Sequence, residues 1–273
     1  MKVGNLEILR KCAEEIRREI LPLIGTKEAA KTYGRGAGGD LTKEIDLRAE
    51  ETLIKKIREA KLSCTIYSEE KGIIKLGKSP ENLYVICDPL DGTTNALHGI
   101  PFMATSIAVA KEPFLSKIEA AIVMDIIHGV TYAAEKGKGA YKNNERISPS
   151  QETSLVESII GVDINTYKAA DQILHEKITR IIALNKHPRY FGANALQLCY
   201  VADGSIDAFV DIRGKMRVLD MAAAYLIVKE AGGVVTAPDG KELEAKITPQ
   251  ERISLVAAGN RKLHEEILRL IRD

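Results

Sequence analysis

Apolar residues recur three and four apart at the start of the chain. Leu6, Leu9, Ala13, Ile16, Ile20 and Leu23 follow Asn5, a good N-cap, and predict an amphipathic helix over 6–24 with Pro22 near its end. Ile45, Ala49, Leu53 and Ile57 predict a second helix, with Asp46 and Glu50 near its start, where acidic groups suit the macrodipole. Between them, Tyr33-Gly34-Arg35-Gly36-Ala37-Gly38-Gly39-Asp40 reads as a mobile loop, too rich in glycine for a rigid element. The period then shortens to that of strands, predicted at 64–67, 83–87, 105–110, 118–124 and 130–134, with turns at His128-Gly129 and Gly137-Lys138-Gly139. These predict an antiparallel-rich sheet with both N-terminal helices on one face.

After Ser148-Pro149-Ser150 strands and helices alternate. Strands are predicted at 158–162, 189–191, 206–210, 234–235 and 255–257, and helices at 167–184, 195–202, 221–231 and 263–271. The expected fold class is α/β (α+β), with an α+β part over 1–150 and an α/β part over 151–273.

Composition narrows the function classes. A 45% hydrophobic content over 273 residues supplies a sizeable core. Lys plus Arg number 39 against 38 for Asp plus Glu, so the net charge of +1 gives no global field for nucleic acid or an anionic membrane. Cys12, Cys64, Cys87 and Cys199 form no C-x-x-C pair, which points to buried free thiols in a reducing cytosol. The first residues lack the apolar region of a signal peptide, and no apolar run approaches about 18 residues, so a cytoplasmic protein is expected. With 28% charged residues and no tryptophan, the composition leans towards thermophile usage.

The candidate chemistry lies where strands end. The apolar run at Val85-Ile86-Cys87 stops at Asp88-Pro89-Leu90-Asp91-Gly92-Thr93-Thr94-Asn95: two carboxylates three apart, then a glycine and two hydroxyl residues able to open a helix. Carboxylates this close repel unless a cation neutralises both, and backbone N–H groups at a helix start attract phosphate. Each acidic motif alone has an ordinary reading: Asp-Pro and Asp-Gly as turns, Glu69-Glu70 as a solvated strand end, Asp220 as an N-cap. Together they supply an all-oxygen site for two or three hard cations. Gly34, Gly36 and Gly39 satisfy G-x-G-x-x-G, but the polar, helix-favouring 26–31 precedes them where a strand is required, so a lid fits better than a nucleotide site.

These residues resemble the inositol monophosphatase and fructose-1,6-bisphosphatase superfamily of magnesium-dependent, lithium-sensitive phosphatases. Asp88 through Asn95 looks like its first signature and Leu219-Asp220-Met221-Ala222-Ala223 like its second, with Glu230-Ala231-Gly232-Gly233 similar to the turn that follows. Gly39-Asp40-Leu41-Thr42 through Asp46, and Ser68-Glu69-Glu70, match its other acidic motifs, so the resemblance covers nearly the whole chain in order. It implies a layered αβαβα sandwich. One metal would be held by Glu69, Asp88 and the Leu90 carbonyl, a second by Asp88, Asp91 and Asp220, and a weaker third near Glu69. Phosphate would rest on Gly92 and Thr93, with Thr93 and Glu69 orienting the attacking water, Asp46 ordering the third ion or orienting Thr93, and Asp40 on the lid. Mg²⁺ is the implied cofactor, two or three per site, with Mn²⁺ or Zn²⁺ as substitutes and Li⁺ as an inhibitor.

Leu219 stands where the family usually has Trp, and Ala224 where Gly is common; neither change removes a ligand. Inositol-selective relatives have a glutamate at the position of Arg213, and a cation there, with Lys215, would favour a second phosphate. Arg189 and Tyr190, before Gly192 and Ala193, are candidates for the same subsite, the alternative for the basic segment being a solvated connection. The sequence looks most like the archaeal branch, which implies hydrolysis of fructose 1,6-bisphosphate and inositol 1-phosphate by a homodimer that binds neither nucleic acid nor membrane. The alternatives are a 3′-phosphoadenosine 5′-phosphate phosphatase and a non-catalytic metal-dependent binding protein.

Overall fold

A computed structural model describes residues 5–77, 83–165 and 172–272. In chain order the elements are α1 (Asn5–Ile20), β1 (Thr32–Arg35), β2 (Leu41–Lys43), α2 (Glu44–Glu59), β3 (Cys64–Ser68), β4 (Gly72–Leu76), β5 (Tyr84–Asp91), α3 (Thr93–His98), β6 (Ala104–Ala110), β7 (Ile118–Asp125), β8 (Thr131–Glu135), β9 (Ala140–Lys142) and β10 (Glu145–Arg146). There follow β11 (Ile159–Val162), α4 (Gln172–Leu184), β12 (His187–Arg189), α5 (Asn194–Ala202), β13 (Ala208–Arg217), α6 (Val218–Ala231), β14 (Val234–Thr236), β15 (Arg252–Ala258) and α7 (Arg261–Arg272).

The larger sheet has eight strands in the order β10-β9-β8-β7-β6-β5-β3-β4. Only β3 and β5 run parallel in it; the other neighbours are antiparallel, as the alternating pattern predicts. Its strands are apolar on both faces because both are covered. Val85, Cys87, Ile107, Val109, Ile122 and Met124 face a core shared with α1 and α2, whereas Ile86, Ala108, Ala121 and Val123 face one shared with α5 and α6. The second sheet, ordered β12-β11-β13-β15-β14, repeats the device: Phe209, Leu255 and Ala257 point towards α5 and α6, while Ala208, Val210, Val256 and Ala258 pack on α4 and α7. The layers are therefore αβαβα, as expected. Helix α6 sits between both sheets, and every residue from Val218 to Val228 is buried, so it is apolar all round rather than along one stripe.

Several expectations need correction. The glycine-rich run begins in strand β1, which pairs antiparallel with β2, so the expected loop is narrowed to residues 36–40, the tip of a β-hairpin. Strands β4, β9 and β10 were not anticipated: β9 and β10 span only three and two residues, and β4 exposes Ile73 and Lys75. The strand expected at 189–191 lies at His187–Arg189, and β13 runs on to Arg217 through a register shift between Asp211 and Met216. Residues 167–171 of the expected helix fall outside the described residues.

Candidate metal and phosphate site

The acidic residues meet because of strand direction. Strands β3 and β5 are parallel, with Ser68 opposite Cys87, so the residues that follow, Glu69 and Asp88, leave the sheet side by side. Along β5, Asp88 pairs with Ser106 and Asp91 with Ala104, three steps against two. This one-residue bulge at Pro89 re-aims the strand end. Thr105 Oγ1 donates to the freed Pro89 carbonyl at 2.9 Å, and the Leu90 N–H donates to Asp88 Oδ1 at 3.0 Å. Asp220 arrives from the other sheet, in the first turn of α6.

Gly92 closes the bend with φ of 97°, and a Cβ there would lie 3.1 Å from the Ala193 Cβ and 3.2 Å from the Phe102 carbonyl oxygen, so glycine is demanded twice over. Asp91 ties the halves together: its Oδ2 accepts the Ala195 N–H at 2.6 Å, at the start of α5. Thr93 Oγ1 donates to Asp46 Oδ1 at 2.7 Å, and Asp46 Oδ2 accepts the Lys43 N–H at 3.1 Å, capping α2.

Glu69, Asp88 and Asp220 each offer an oxygen within 4.8 Å of the others. Burial pushes all three carboxyls up. Neighbouring carboxylates push Glu69 and Asp88 further, and Arg217 and Arg252 pull Asp220 back to about 6. Burial likewise lifts Asp91, and carries Asp46 to about 7 against the downward pull of the Thr93 hydrogen bond. Asp220 Oδ1 is buried with no hydrogen-bond partner. Buried, mutually repelling oxygens with one left unpaired fit a hard divalent cation, which takes oxygen ligands and removes the repulsion.

One cation of the chain itself reaches this cluster, and sequence reasoning gave it no role. Arg217, half of a strand-to-helix junction, places its guanidinium 2.9 Å from Glu69 Oε1 and 3.9 Å from Asp220 Oδ2, and pairs with Asp40 on the hairpin. Its position depends on the irregular part of β13, which no local pattern announces. Gly38 lets the hairpin press on Glu69: its N–H donates to the Glu69 carbonyl at 2.7 Å, and a Cβ would meet the Glu69 Cγ at 3.0 Å. Arg252 donates to the Gly38 carbonyl at 2.8 Å, and Thr42 to Glu70. The expected lid is thus docked over the carboxylates.

A cleft of about 950 Å³ opens here and brings together Asp40, Asp46, Glu69, Asp88, Leu90, Asp91, Gly92, Thr93, Tyr190 and Asp220. Ala193 lies just behind Gly92. Arg213, Lys215 and Arg189 do not line it. Arg213 is enclosed instead, its guanidinium 2.5 Å from Asp163 Oδ2 and 2.6 Å from Asp211 Oδ2, with the Asn165 carbonyl at 3.1 Å. Lys215 is exposed on the irregular stretch of β13, and Arg189 donates to its neighbour's carbonyl. Asp163 and Asn165, unremarked in the sequence, do line the cleft.

Residues 3–273 match the model of the inositol monophosphatase family. The chain belongs to the inositol monophosphatase family. Among its relatives, the fructose-1,6-bisphosphatase/inositol-1-monophosphatase of Methanothermobacter thermautotrophicus is 40% identical over 270 residues, 95% of this chain and 93% of that protein. The protein of the same description from Thermococcus kodakarensis is 35% identical over 276 residues, 100% of this chain and 99% of that one. A solved structure described as an inositol monophosphatase-fructose 1,6 bisphosphatase is 31% identical, with a TM-score of 0.84 over 99% of this chain and 100% of its own. As an inositol monophosphatase family member, the chain is a phosphoric monoester hydrolase. Among the described residues no helix is long and apolar enough to cross a membrane.

Proposed function

We propose that this protein hydrolyses sugar and polyol phosphate monoesters, fructose 1,6-bisphosphate and inositol 1-phosphate among them, with divalent cations held by Glu69, Asp88, the Leu90 carbonyl, Asp91 and Asp220. The observation that carries the reading is the convergence of Glu69, Asp88 and Asp220 oxygens within 4.8 Å of one another, beside Thr93. Mg²⁺ is the proposed ion; when bound, it supplies Lewis acidity that lowers the pKa of water and neutralises charge on the phosphoryl oxygens.

The chain's own groups do the rest. Because the Thr93 hydroxyl spends its proton on Asp46, its lone pairs face the cleft as acceptors for a water approaching phosphorus. Asp46, which accepts a hydrogen bond from the Thr93 hydroxyl, is placed to receive the proton passed through Thr93. Phosphate sits against the N–H groups of Gly92 and Thr93, where the first turn of α3 leaves donors free. The docked hairpin keeps bulk water from the reacting atoms. Tyr190, Asp163 and Asn165 meet the rest of the substrate, with Ala193 behind the phosphate. Arg213 serves by holding Asp163. A homodimer, a cytoplasmic location and no nucleic-acid or membrane partner belong to the same proposal, supported by the family and by the near-zero net charge.

Phosphate release from fructose 1,6-bisphosphate, inositol 1-phosphate and 3′-phosphoadenosine 5′-phosphate, with Mg²⁺ and with EDTA, tests it. The first two are turned over with Mg²⁺ only. Turnover that survives EDTA, or is confined to the nucleotide, overturns the reading.

A further inference from the structure

A second cleft, of about 650 Å³, lies between α7, the end of α6 and β14, and shares no lining residue with the metal site. Arg261, His264, Glu265, Leu268, Arg269 and Arg272 recur three and four apart along α7 and form one wall. Lys229 and Glu242 face each other across its rim at 3.1 Å and cancel. What remains in the lining is three guanidinium groups and the carboxylate of Glu265, with Asp239 beside Arg272.

Some arginines elsewhere are neutralised by carboxylates, while others, such as Arg58, Arg146 and Arg180, have no ion pair among the described residues, so it is the gathering of three in one cleft that counts here. Arg48 is shared among Glu19, Glu28 and Glu44, Arg213 is held by two aspartates, and Arg217 by three carboxylates. Arg261 and Arg269 have no ion-pair partner among the described residues, and Arg272 donates to the Asp239 carbonyl. The helix dipole accounts for Arg269 and Arg272, which sit in the last turn of α7. It does not account for Arg261, in a first turn that holds no acidic residue, where a cation opposes the dipole. The floor is polar and fixed: His264 is 3% exposed, and its Nε2 lies 3.0 Å from Thr236 Oγ1.

We propose that this cleft is a binding site for a small polyanion carrying two phosphoryl groups. Guanidinium forks match phosphoryl oxygens in pairs, and Arg261 and Arg269, whose Cα atoms are about 12 Å apart along the helix axis, each offer a fork to a separate phosphoryl group of one ligand. The site lies at the far end of the helix that carries Asp220: α6 presents Asp220 to the metal cleft in its first turn and Lys229 to this cleft in its last.

The test is isothermal titration of the metal-loaded protein with inorganic phosphate and with pyrophosphate, Mg²⁺ in excess over either anion, for the wild type and for Arg261→Ser/Arg269→Ser. Neither arginine touches the metal cleft, so the variant's basal phosphatase activity is expected unchanged and reports that it is folded. The wild type binds pyrophosphate more tightly than phosphate at this cleft, and the variant weakens that event by at least about tenfold. Any anion bound at the metal centre is common to both proteins and drops out of the difference. Indistinguishable titrations of the two proteins overturn the proposal, as does a pyrophosphate affinity no greater than that of phosphate.

Discussion

Two buried ionic clusters at neighbouring ends of the two sheets are built from the same parts and come out differently. At the end of the second sheet, Arg213 sits between Asp163 and Asp211, its Nε and a terminal nitrogen both on Asp211, and Lys215 also acts on Asp163, so two cations answer two carboxylates. At the end of the first, Glu69, Asp88, Asp91 and Asp220 lie together; Arg217 pairs with Glu69 and Asp220 but is shared by Asp40, Arg252 acts on Asp220, and one Asp220 oxygen has no partner. Carboxylates with a matched internal cation are a structural device; carboxylates in excess wait for cations from outside.

The largest expected effect comes from removing one of the three converging carboxylates. Asp88→Asn takes a charge from a site asked to supply several kcal/mol to the transition state, so kcat/KM should fall by at least about 10³-fold with little change in melting temperature. Full activity would place the cation elsewhere. Arg213→Met attacks the balanced cluster and should cost about 3–5 kcal/mol of stability in urea unfolding, because it leaves two buried carboxylates without their buried cation. A stable variant that loses bisphosphate hydrolysis and keeps monophosphate hydrolysis would instead give Arg213 the second-phosphate role its sequence position suggests.

How far the sequence revealed these clusters follows from the same contrast. Glu69, Asp88 and Asp91 were legible because strand patterns end in carboxylates there, whereas Asp220, inside an apolar helical run, read alone as an N-cap and became a candidate ligand through the other acidic motifs and the family resemblance. The five layers came from the family resemblance, since the pattern of strands and helices alone placed helices on only one face of the first sheet. Arg217 and Arg213 were not separable: they lie four apart in one basic segment, and the register shift in β13 sends one into the metal cleft and the other into a closed ion pair. The hairpin β1–β2 was hidden because glycine signals freedom locally, whereas here it permits close approach to Glu69.

Smaller effects sharpen the comparison. Thr93→Val removes the acceptor between Asp46 and the approaching water and should lower kcat by about 10²-fold with KM nearly unchanged, measured on inositol 1-phosphate. An equal loss in 1/KM would make Thr93 a binding group only. The unbalanced cluster should also mark the pH dependence of stability after EDTA treatment. Asp46 and Asp220 have folded pKa values raised to about 7 and about 6 from 3.8, so the folded state holds protons that the unfolded chain releases. Their contribution is fully present below about pH 4 and is lost as pH rises through 6 and 7. The melting temperature of the EDTA-treated protein should therefore fall by a few degrees between pH 5 and pH 8, and Mg²⁺ should restore it more at pH 8 than at pH 5. A melting temperature that rises with pH in EDTA would mean the carboxylates are already neutralised from within.

The most direct measurement is a crystal structure of Mn²⁺-soaked protein with anomalous data collected near the manganese edge. The account predicts an anomalous peak bounded by Glu69, Asp88 and Asp220, with none beside Asp163 and Asp211. An active, Mn²⁺-loaded crystal with no peak between the three carboxylates would contradict it.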